Sequence, residues 1–340
     1  MTVQHRLGSY EIIFTSITEA IAAAPPAAFY ITDENLYRAY GPQLEGKQVL
    51  VLPAGEGTKR MSSFERALEW LANAGAVRSS TIVAFGGGVI GDLAGFVAAS
   101  YMRGIRYLQI PTSLLAQVDS SVGGKVGIDL EAGKNLAGAF YPPHAVHISI
   151  ELLDSLPSRH FANGMSEVLK YGFIADPAFL QFLGELPERP KGKDLETMIR
   201  RCVEIKAEIV AEDEFEMTDT RAALNFGHTV GHAIEQVTHY AGPLHGEAIA
   251  IGMVAEATLG ERLGVTEPGT AEIVRERLSV QGLPVTIDQS IDFADLMKAM
   301  LRDKKRRGDG LAFSLLTHLG ECKLHRGILS DEVMQALMAL

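Results

Sequence analysis

Cysteine is nearly absent: 340 residues hold only Cys202 and Cys322, far apart and without the paired spacing of a zinc knuckle or redox motif. A reducing cytoplasm fits that scarcity. Positive charge is also in deficit, with 31 Lys and Arg against 42 Asp and Glu and a formal net charge of −11. Such a chain repels phosphate backbones, which argues against nucleic-acid partners, and an anionic small molecule must be held by a local basic pocket. No window approaches the roughly 18 unbroken apolar residues of a membrane span. The opening MTVQHRLGSYEIIF has no basic segment leading into an apolar stretch. The expected setting is cytoplasmic, neither exported nor membrane-embedded.

What is present is a globular composition, 47% hydrophobic and 21% charged, with 34 glycines to serve many turns. The length predicts two domains. Short apolar runs bounded by turn residues read as strands: YEIIF (10–14), AAFYIT (27–32), QVLVLP (48–53), TIVAF (81–85) and YLQIP (107–111). Helical patterns lie between them, FERALEWLANAG (64–75) and DLAGFVAASYM (92–102) among them. That alternation predicts an α/β, Rossmann-like N-terminal domain with a mainly parallel sheet over 1–150. From 151 to 340 the apolar spacing turns helical, as in Met198, Cys202, Ile205 and Ile209, and predicts a mostly α-helical domain. The Pro-rich LPERPKGKD (186–194) interrupts those helices, and residues 310–327 read as one hairpin. The active site is expected in the cleft between the two domains.

Directly after TIVAF comes Gly86-Gly87-Gly88-Val89-Ile90-Gly91-Asp92, a G-x-G-x-x-G that opens a helix. Glycines let backbone N–H groups approach a pyrophosphate, and the helix N-terminus adds partial positive charge, so the run predicts a dinucleotide site. A tight turn required only for packing is the plainer alternative, because YLQIPTS offers no carboxylate at the next strand end. Asp33 or Asn35, closing another strand, can grip the ribose instead, with further contacts from the AGEGTK loop, Ala54 to Lys59.

The clearest chemical signal is TRAALNFGHTVGHAIEQ, where Arg221, Asn225, His228, His232 and Glu235 fall at offsets 0, 4, 7, 11 and 14. At about 100° per residue they share an arc of about 80° on one helix. Apolar residues fill the other sides, so the stripe reads as a buried polar site rather than a solvated face. Two histidines four apart can share one metal, and His245 in GPLHGEAIAIGM and Glu167 in GMSEVLKYG are candidates to join them. A carboxylate with imidazoles leaves positions open for substrate oxygens, whereas closed structural zinc sites prefer thiolates. Singly, Glu167 with Lys170 is an ordinary i,i+3 pair, and a loop histidine an ordinary hydrogen-bonding residue.

A further stretch, PTSLLAQVDSSVGGKVGIDLEAGKNLAG, holds Asp119, Lys125, Lys134 and Asn135 among glycines without evident periodicity and reads as an active-site loop. The run Arg302 to Arg307 is either a solvated turn or a source of cations.

Taken in order, GGGVIGDLAGFVAASYMRGI, IPTSLLAQVDSSVGGKVGID, GKNLAGAFYPP, SEVLKYG, LNFGHTVGHAIE, LHGEAIAIGM and DKK resemble the 3-dehydroquinate synthase family, within the sugar phosphate cyclases. The resemblance implies conversion of 3-deoxy-D-arabino-heptulosonate 7-phosphate to 3-dehydroquinate and phosphate. The implied course is transient oxidation by NAD, phosphate elimination, re-reduction, ring opening and aldol closure. It also implies a Zn2+ or Co2+ ion on Glu167, His228 and His245, with His232 left as a hydrogen-bonding residue rather than a ligand. Lys170, His232, Asn225 and Asp119 are the implied catalytic groups. Lys125, Asn135, Lys206, Arg221 and one of Lys304 or Lys305 would hold substrate, and Arg103 would reach it across a homodimer interface. NAD contacts are expected at Asp33, Asn35, Glu56, Lys59, Gly87, Gly88, Val89, Ile90, Gly91, Asp92, Thr112, Ser113, Asp119, Lys125 and Lys134. Another sugar phosphate cyclase and a metal-dependent polyol dehydrogenase are the competing enzymes. DSSVGGK, Arg221, Asn225 and His232 favour dehydroquinate.

Overall fold

The computed structural model describes residues 1–6, 8–216, 218–304 and 311–340, excluding the side chains of 302–304. The chain divides into two compact units, Met1–Phe161 and Ala162–Leu340.

In the first unit the elements run β1 (Thr2–His5), β2 (Gly8–Phe14), α1 (Ile17–Ala22), β3 (Phe29–Asp33), α2 (Glu34–Tyr40), β4 (Gln48–Leu52), α3 (Met61–Asn73), β5 (Thr81–Gly86), α4 (Gly88–Ser100), β6 (Arg106–Pro111), β7 (Lys125–Leu130), β8 (Gly133–Phe140) and β9 (Ala145–Ile148). Seven strands form one sheet in the order β1-β2-β9-β6-β5-β3-β4. Every pairing in it is parallel except β1 with β2. The five strands read from apolar runs are all present, and the mainly parallel α/β architecture matches the expectation.

The central strands are apolar on both faces because both faces are covered. Along β3, Phe29 and Ile31 join the core under α3 and α4, while Tyr30 joins the core that includes Ala20 and Ile21 of α1. The order of strand addition reverses between β3 and β5: β4 follows β3 on one side, and β5 and β6 follow on the other. In open α/β sheets ligands bind outside the carboxyl ends of the strands at such a reversal.

The stretch expected as a loop is ordered. It contains a π-helical turn, Ala116–Ser120, and the antiparallel hairpin β7–β8. Its strand character is hidden by glycine, which carries little β signal. Gly127 and Gly138 face each other across the hairpin, and a Cβ on Gly138 would fall on the carbonyl oxygen of Val126. β7 turns Val126 and Ile128 into the core against α4, and a Cβ on Gly95 of α4 would collide with the Val126 side chain and stand 3.2 Å from Cζ of Tyr107.

The second unit is mainly helical: most of α5 (Ser158–Ile174), then α6 (Pro177–Glu185), α7 (Gly192–Glu212), α8 (His228–Val237), α9 (His245–Arg262), α10 (Thr270–Val280), α11 (Phe293–Lys304) and, after the hairpin β10 (Leu311–His318) and β11 (Glu321–Ile328), α12 (Ser330–Leu337). Its main core joins α8, α9, α11 and α12 to β10, with Val230, Ile234, Ile251, Leu259, Leu296 and Phe313 buried together. The expected hairpin near residues 310–327 is β10–β11, and α6 and α7 flank the Pro-rich interruption.

Gly95→Ala should destabilise the first unit by about 1–3 kcal/mol through overpacking against β7 and β6. Trp70, the only tryptophan, packs edge-on against Phe29 at 5.6 Å in this unit and reports on it selectively. A urea titration followed by tryptophan fluorescence should show an earlier midpoint; an unchanged midpoint would contradict this packing.

Candidate functional site

Three helices of the second unit bring together one carboxylate and two imidazoles. Glu167 stands in the middle of α5, while His228 and His245 are the first residues of α8 and α9. His228 Nε2 lies 3.7 Å and His245 Nε2 3.8 Å from the same Glu167 oxygen, Oε1. Three ligand atoms, one from each side chain, lie within 4.8 Å of one another.

The approach depends on glycine. A Cβ on Gly246, beside His245, would fall on the carbonyl oxygen of Asn163 in α5. One on Gly231 of α8 would stand 2.6 Å from Ile249 Cδ1 of α9, and one on Gly252 of α9 would fall on the carbonyl oxygen of Gly227. Larger residues at these points would hold the three helices apart and separate the ligands.

The donor set fits a divalent cation. Glu167 is 1% exposed, and among the described residues its Oε1 has no hydrogen-bond partner. A buried charge so placed is costly unless compensated. The Lys170 ammonium, one turn along α5, pairs with Oε2, which leaves Oε1 facing both imidazoles.

Each histidine is held by its other nitrogen. The Phe226 carbonyl lies 3.2 Å from His228 Nδ1, and Glu235 Oε1 lies 3.5 Å from His245 Nδ1. Fixing one ring nitrogen in this way presents the other as a lone-pair donor. Burial, followed by the Lys170 ammonium and the His232 and His245 imidazoles, pushes the His228 pKa well below its usual value. His228 is therefore neutral near neutral pH, the form that binds a metal.

The five-residue stripe does not occupy one helix. Arg221–Asn225 is a separate 3-10 turn, and Gly227 takes a left-handed conformation, φ 83°, before α8 begins. His228, His232 and Glu235 remain on α8 at helical spacing. His228 and His232 do not share a ligand cluster; His232, exposed, groups with Glu235 and His245 instead. Their rings lie 5.3 Å apart, but His228 points its Nε2 at Glu167.

The same unit buries Lys170, Lys206 and Arg221 and leaves Asn225 exposed. Arg221 donates from Nη1 to the Glu214 carbonyl at 2.6 Å, and its Nε lies 3.5 Å from Glu216. Lys304 ends α11, and Lys305 lies outside the described residues.

The residues expected to hold NAD sit in the first unit, many of them along one edge of the sheet. Parallel registers pair Asp33 with Leu52, Ile31 with Ala84 and Gly86 with Pro111. The ends of β3, β4, β5 and β6 therefore lie side by side, carrying Asp33 and Asn35, the loop with Glu56 and Lys59, the Gly87–Asp92 turn, and Thr112 with Ser113.

Gly86 answers the packing reading, since a Cβ there would stand 2.7 Å from Ile90 Cγ1. Gly87 and Gly88 face the hydroxyls of Ser113 and Ser120 instead, 3.3 and 3.1 Å from where a Cβ would be. No side chain caps the N-terminus of α4, so its first amides suit an anion.

Several expected ligands already serve the protein. Asp33 Oδ1 accepts from the Asn35 and Leu36 amides at 2.9 and 3.0 Å and caps α2. Lys59, buried, donates to Asp92 and to Asn135 Oδ1, each at 2.5 Å. Burial opposes its charge, but Asp92 and Glu56 outweigh that and raise its pKa. Lys134 pairs with Glu56 at 3.3 Å. Asp119 lies half-buried in the π-helical turn, and Lys125 is exposed at the start of β7. Arg103 is exposed after α4 with φ 64°, next to Met102 at φ 48°, two consecutive left-handed non-glycine residues.

Two carboxylates were not singled out in the sequence reading. Asp129, half-buried, accepts from the Asn135 amide at 2.8 Å and sits within the Lys59 network. Glu256, fully buried on α9, accepts from three amides at the start of α8. Asp129 closes the segment IPTSLLAQVDSSVGGKVGID, whereas Glu256 belongs to no local motif; an acidic residue in the otherwise apolar run of α9 was its only available sign.

Comparison with known proteins follows the two-unit division. The model described as 3-dehydroquinate synthase N-terminal matches residues 49–163, and that described as 3-dehydroquinate synthase C-terminal matches 164–306. A 3-dehydroquinate synthase of Opitutus terrae is 44% identical over 356 aligned positions, covering 100% of this chain and 96% of the relative. A solved 2-deoxy-scyllo-inosose synthase, complexed with carbaglucose-6-phosphate, NAD+ and Co2+, superposes with TM-score 0.89 at 25% identity, covering 100% of this chain and 99% of that one. A 2-epi-5-epi-valiolone synthase of Streptomyces hygroscopicus, solved with NAD+ and Zn2+, shares the fold at TM-score 0.90 and 24% identity, covering 99% and 98%. With both family models matched in succession over most of its length, the chain belongs to the 3-dehydroquinate synthase family.

Proposed function

We propose that this protein converts 3-deoxy-D-arabino-heptulosonate 7-phosphate into 3-dehydroquinate and inorganic phosphate, using NAD and one Zn2+ or Co2+ ion. The observation that carries the cofactor reading is the buried Glu167 carboxylate, whose Oε1 has no hydrogen-bond partner among the described residues and is faced by two imidazole Nε2 atoms. The relatives' names and the NAD+ and Co2+ in the inosose synthase complex support it. We place the enzyme in the cytoplasm as a homodimer whose other partner is its small-molecule substrate, without nucleic acid; no described helix is long and apolar enough to cross a membrane.

When bound, the ion supplies Lewis acidity toward adjacent hydroxyls, and the dinucleotide supplies a reversible two-electron acceptor. Everything else falls to the chain. Glu167, His228 and His245 hold the ion, and the neutral state of His228 keeps its lone pair available. Lys170, Lys206 and Arg221 are buried cations in a chain of net charge −11, the local basic pocket that a carboxylate and a phosphate need. Arg221 is oriented by Glu214 and Glu216, so its guanidinium is set before an anion arrives. His232 and Asn225 are exposed on the same unit and can exchange hydrogen bonds with substrate hydroxyls. The amides and glycines at the carboxyl edge of the first unit bind the pyrophosphate.

Incubated with the heptulosonate phosphate, NAD and Co2+, the protein should release phosphate and yield a product with the mass of 3-dehydroquinate, while absorbance at the NADH band stays flat. Steady growth of NADH would instead identify a dehydrogenase. His228→Ala should lower metal affinity at least about 100-fold, beyond the range for loss of a supporting residue, and abolish phosphate release. Its NAD affinity should be unchanged, because the NAD residues belong to the first unit. Sedimentation should give twice the chain mass of 36.7 kDa.

A further inference from the structure

We infer that Glu256 is a positioning residue for the metal ligand His228, an inference that rests on the metal reading above. Its carboxylate is 0% exposed. Oε2 accepts from the Gly227 amide at 2.8 Å, and Oε1 accepts from Thr229 at 3.0 Å and Val230 at 3.3 Å. The bonded amides of Gly227 and Thr229 flank His228 on either side. The backbone carrying the imidazole is therefore clamped from α9, by a residue as many as 29 positions away in sequence.

Local chemistry explains why the clamp comes from so far. The first amides of any helix have no partner within it, and a Ser, Thr, Asp or Asn at the N-cap ordinarily supplies one. Here the N-cap is Gly227, at φ 83°. A Cβ on it would meet Met253 Cγ at 2.5 Å and the Ile249 carbonyl oxygen at 2.8 Å. No capping side chain fits at that position, so the approach of α8 to α9 both removes the local cap and brings Glu256 into reach. A full negative charge also suits the positive end of the helix.

The consequence is chemical as well as structural. His228 Nδ1 faces the Phe226 carbonyl and Nε2 faces Glu167. Both directions depend on where the first turn of α8 lies. Loosening the amides around His228 lets Nε2 drift from Oε1, and metal ligation is sensitive to supporting groups of this kind.

Glu256→Gln keeps the shape but places an NH2 against backbone donors and removes the charge. In Co2+-substituted protein it should alter the visible absorption of the ion and weaken binding about 10-fold or more in chelator competition, with NAD affinity unchanged. Glu256→Asp, which keeps the charge, should retain part of the affinity, and it replaces the first variant in the same measurements if that one does not fold. Thr266→Val provides the stability control, since it removes a buried hydrogen bond to the Leu316 carbonyl away from the ligands; it should lower the melting temperature without moving the cobalt spectrum. If Glu256→Gln melts early like Thr266→Val but keeps the wild-type spectrum and cobalt affinity, Glu256 is only a helix cap and the inference fails. If the wild type binds no cobalt, the metal reading falls, and this inference with it.

Discussion

The candidate site depends on how closely three helices can approach. The Glu167, His228 and His245 ligand atoms meet within 4.8 Å because α5, α8 and α9 touch through glycine, at Gly246 against Asn163, Gly231 against Ile249 and Gly252 against Gly227. At Gly246 and Gly252 backbone carbonyls occupy the space where a Cβ would be, so this proximity cannot be relaxed by turning a side chain. The same approach shapes the polar chemistry. With Gly227 denied a side chain, the cap of α8 comes from Glu256, and with Gly246 against α5, its amide donates at 2.7 Å to Asn163 Oδ1. Packing and ligand geometry are one constraint here.

The first unit works by a different rule. The strand ends assigned to the dinucleotide are set by topology: parallel strands end together, and the order of strand addition reverses between β3 and β5, where open sheets leave space beyond the carboxyl ends. Lys59 then ties the loop after β4 to α4 through Asp92 and to β8 through Asn135. Three residues expected to touch ligand thus carry a structural duty, and a buried lysine with two fixed acceptors is a tether for the surrounding loops. Asn135 tolerates the left-handed conformation that this contact requires, at φ 55°.

Much of this was legible in the sequence because it is periodic or local. The central strands are runs of Val, Ile, Leu and Tyr, and Gly86 to Gly91 stands between a strand and a helix, where a phosphate turn belongs. The imidazoles of α8 recur at helical spacing. Failures came where glycine erased the period or contacts were long-range. The β7–β8 hairpin looked like a loop since Gly127 and Gly138 pair across it. One helix was expected from Arg221 to Glu235, but an N-x-G run with Gly at φ 83° breaks it, so the shared arc was geometrically wrong although His228 was a sound candidate. Glu256 could not be found from spacing, because its partners lie 26 to 29 residues earlier.

The Glu167–Lys170 pair links stability to the proposed reaction. Without a counter-charge, a carboxylate 1% exposed would disfavour folding; the Lys170 ammonium, 2% exposed, supplies that charge from the same helix. A divalent ion sharing this carboxylate weakens the hold of Glu167 on Lys170, since one negative charge then serves three positive ones. An ammonium left under-compensated in a low-dielectric setting attracts anions more strongly than one in water. Under the proposed function, the residue that makes the metal-free cluster tolerable would thereby be the one whose affinity for a phosphate or carboxylate rises when the ion is bound, which would couple ion loading to capture of an anionic sugar by a chain of net negative charge.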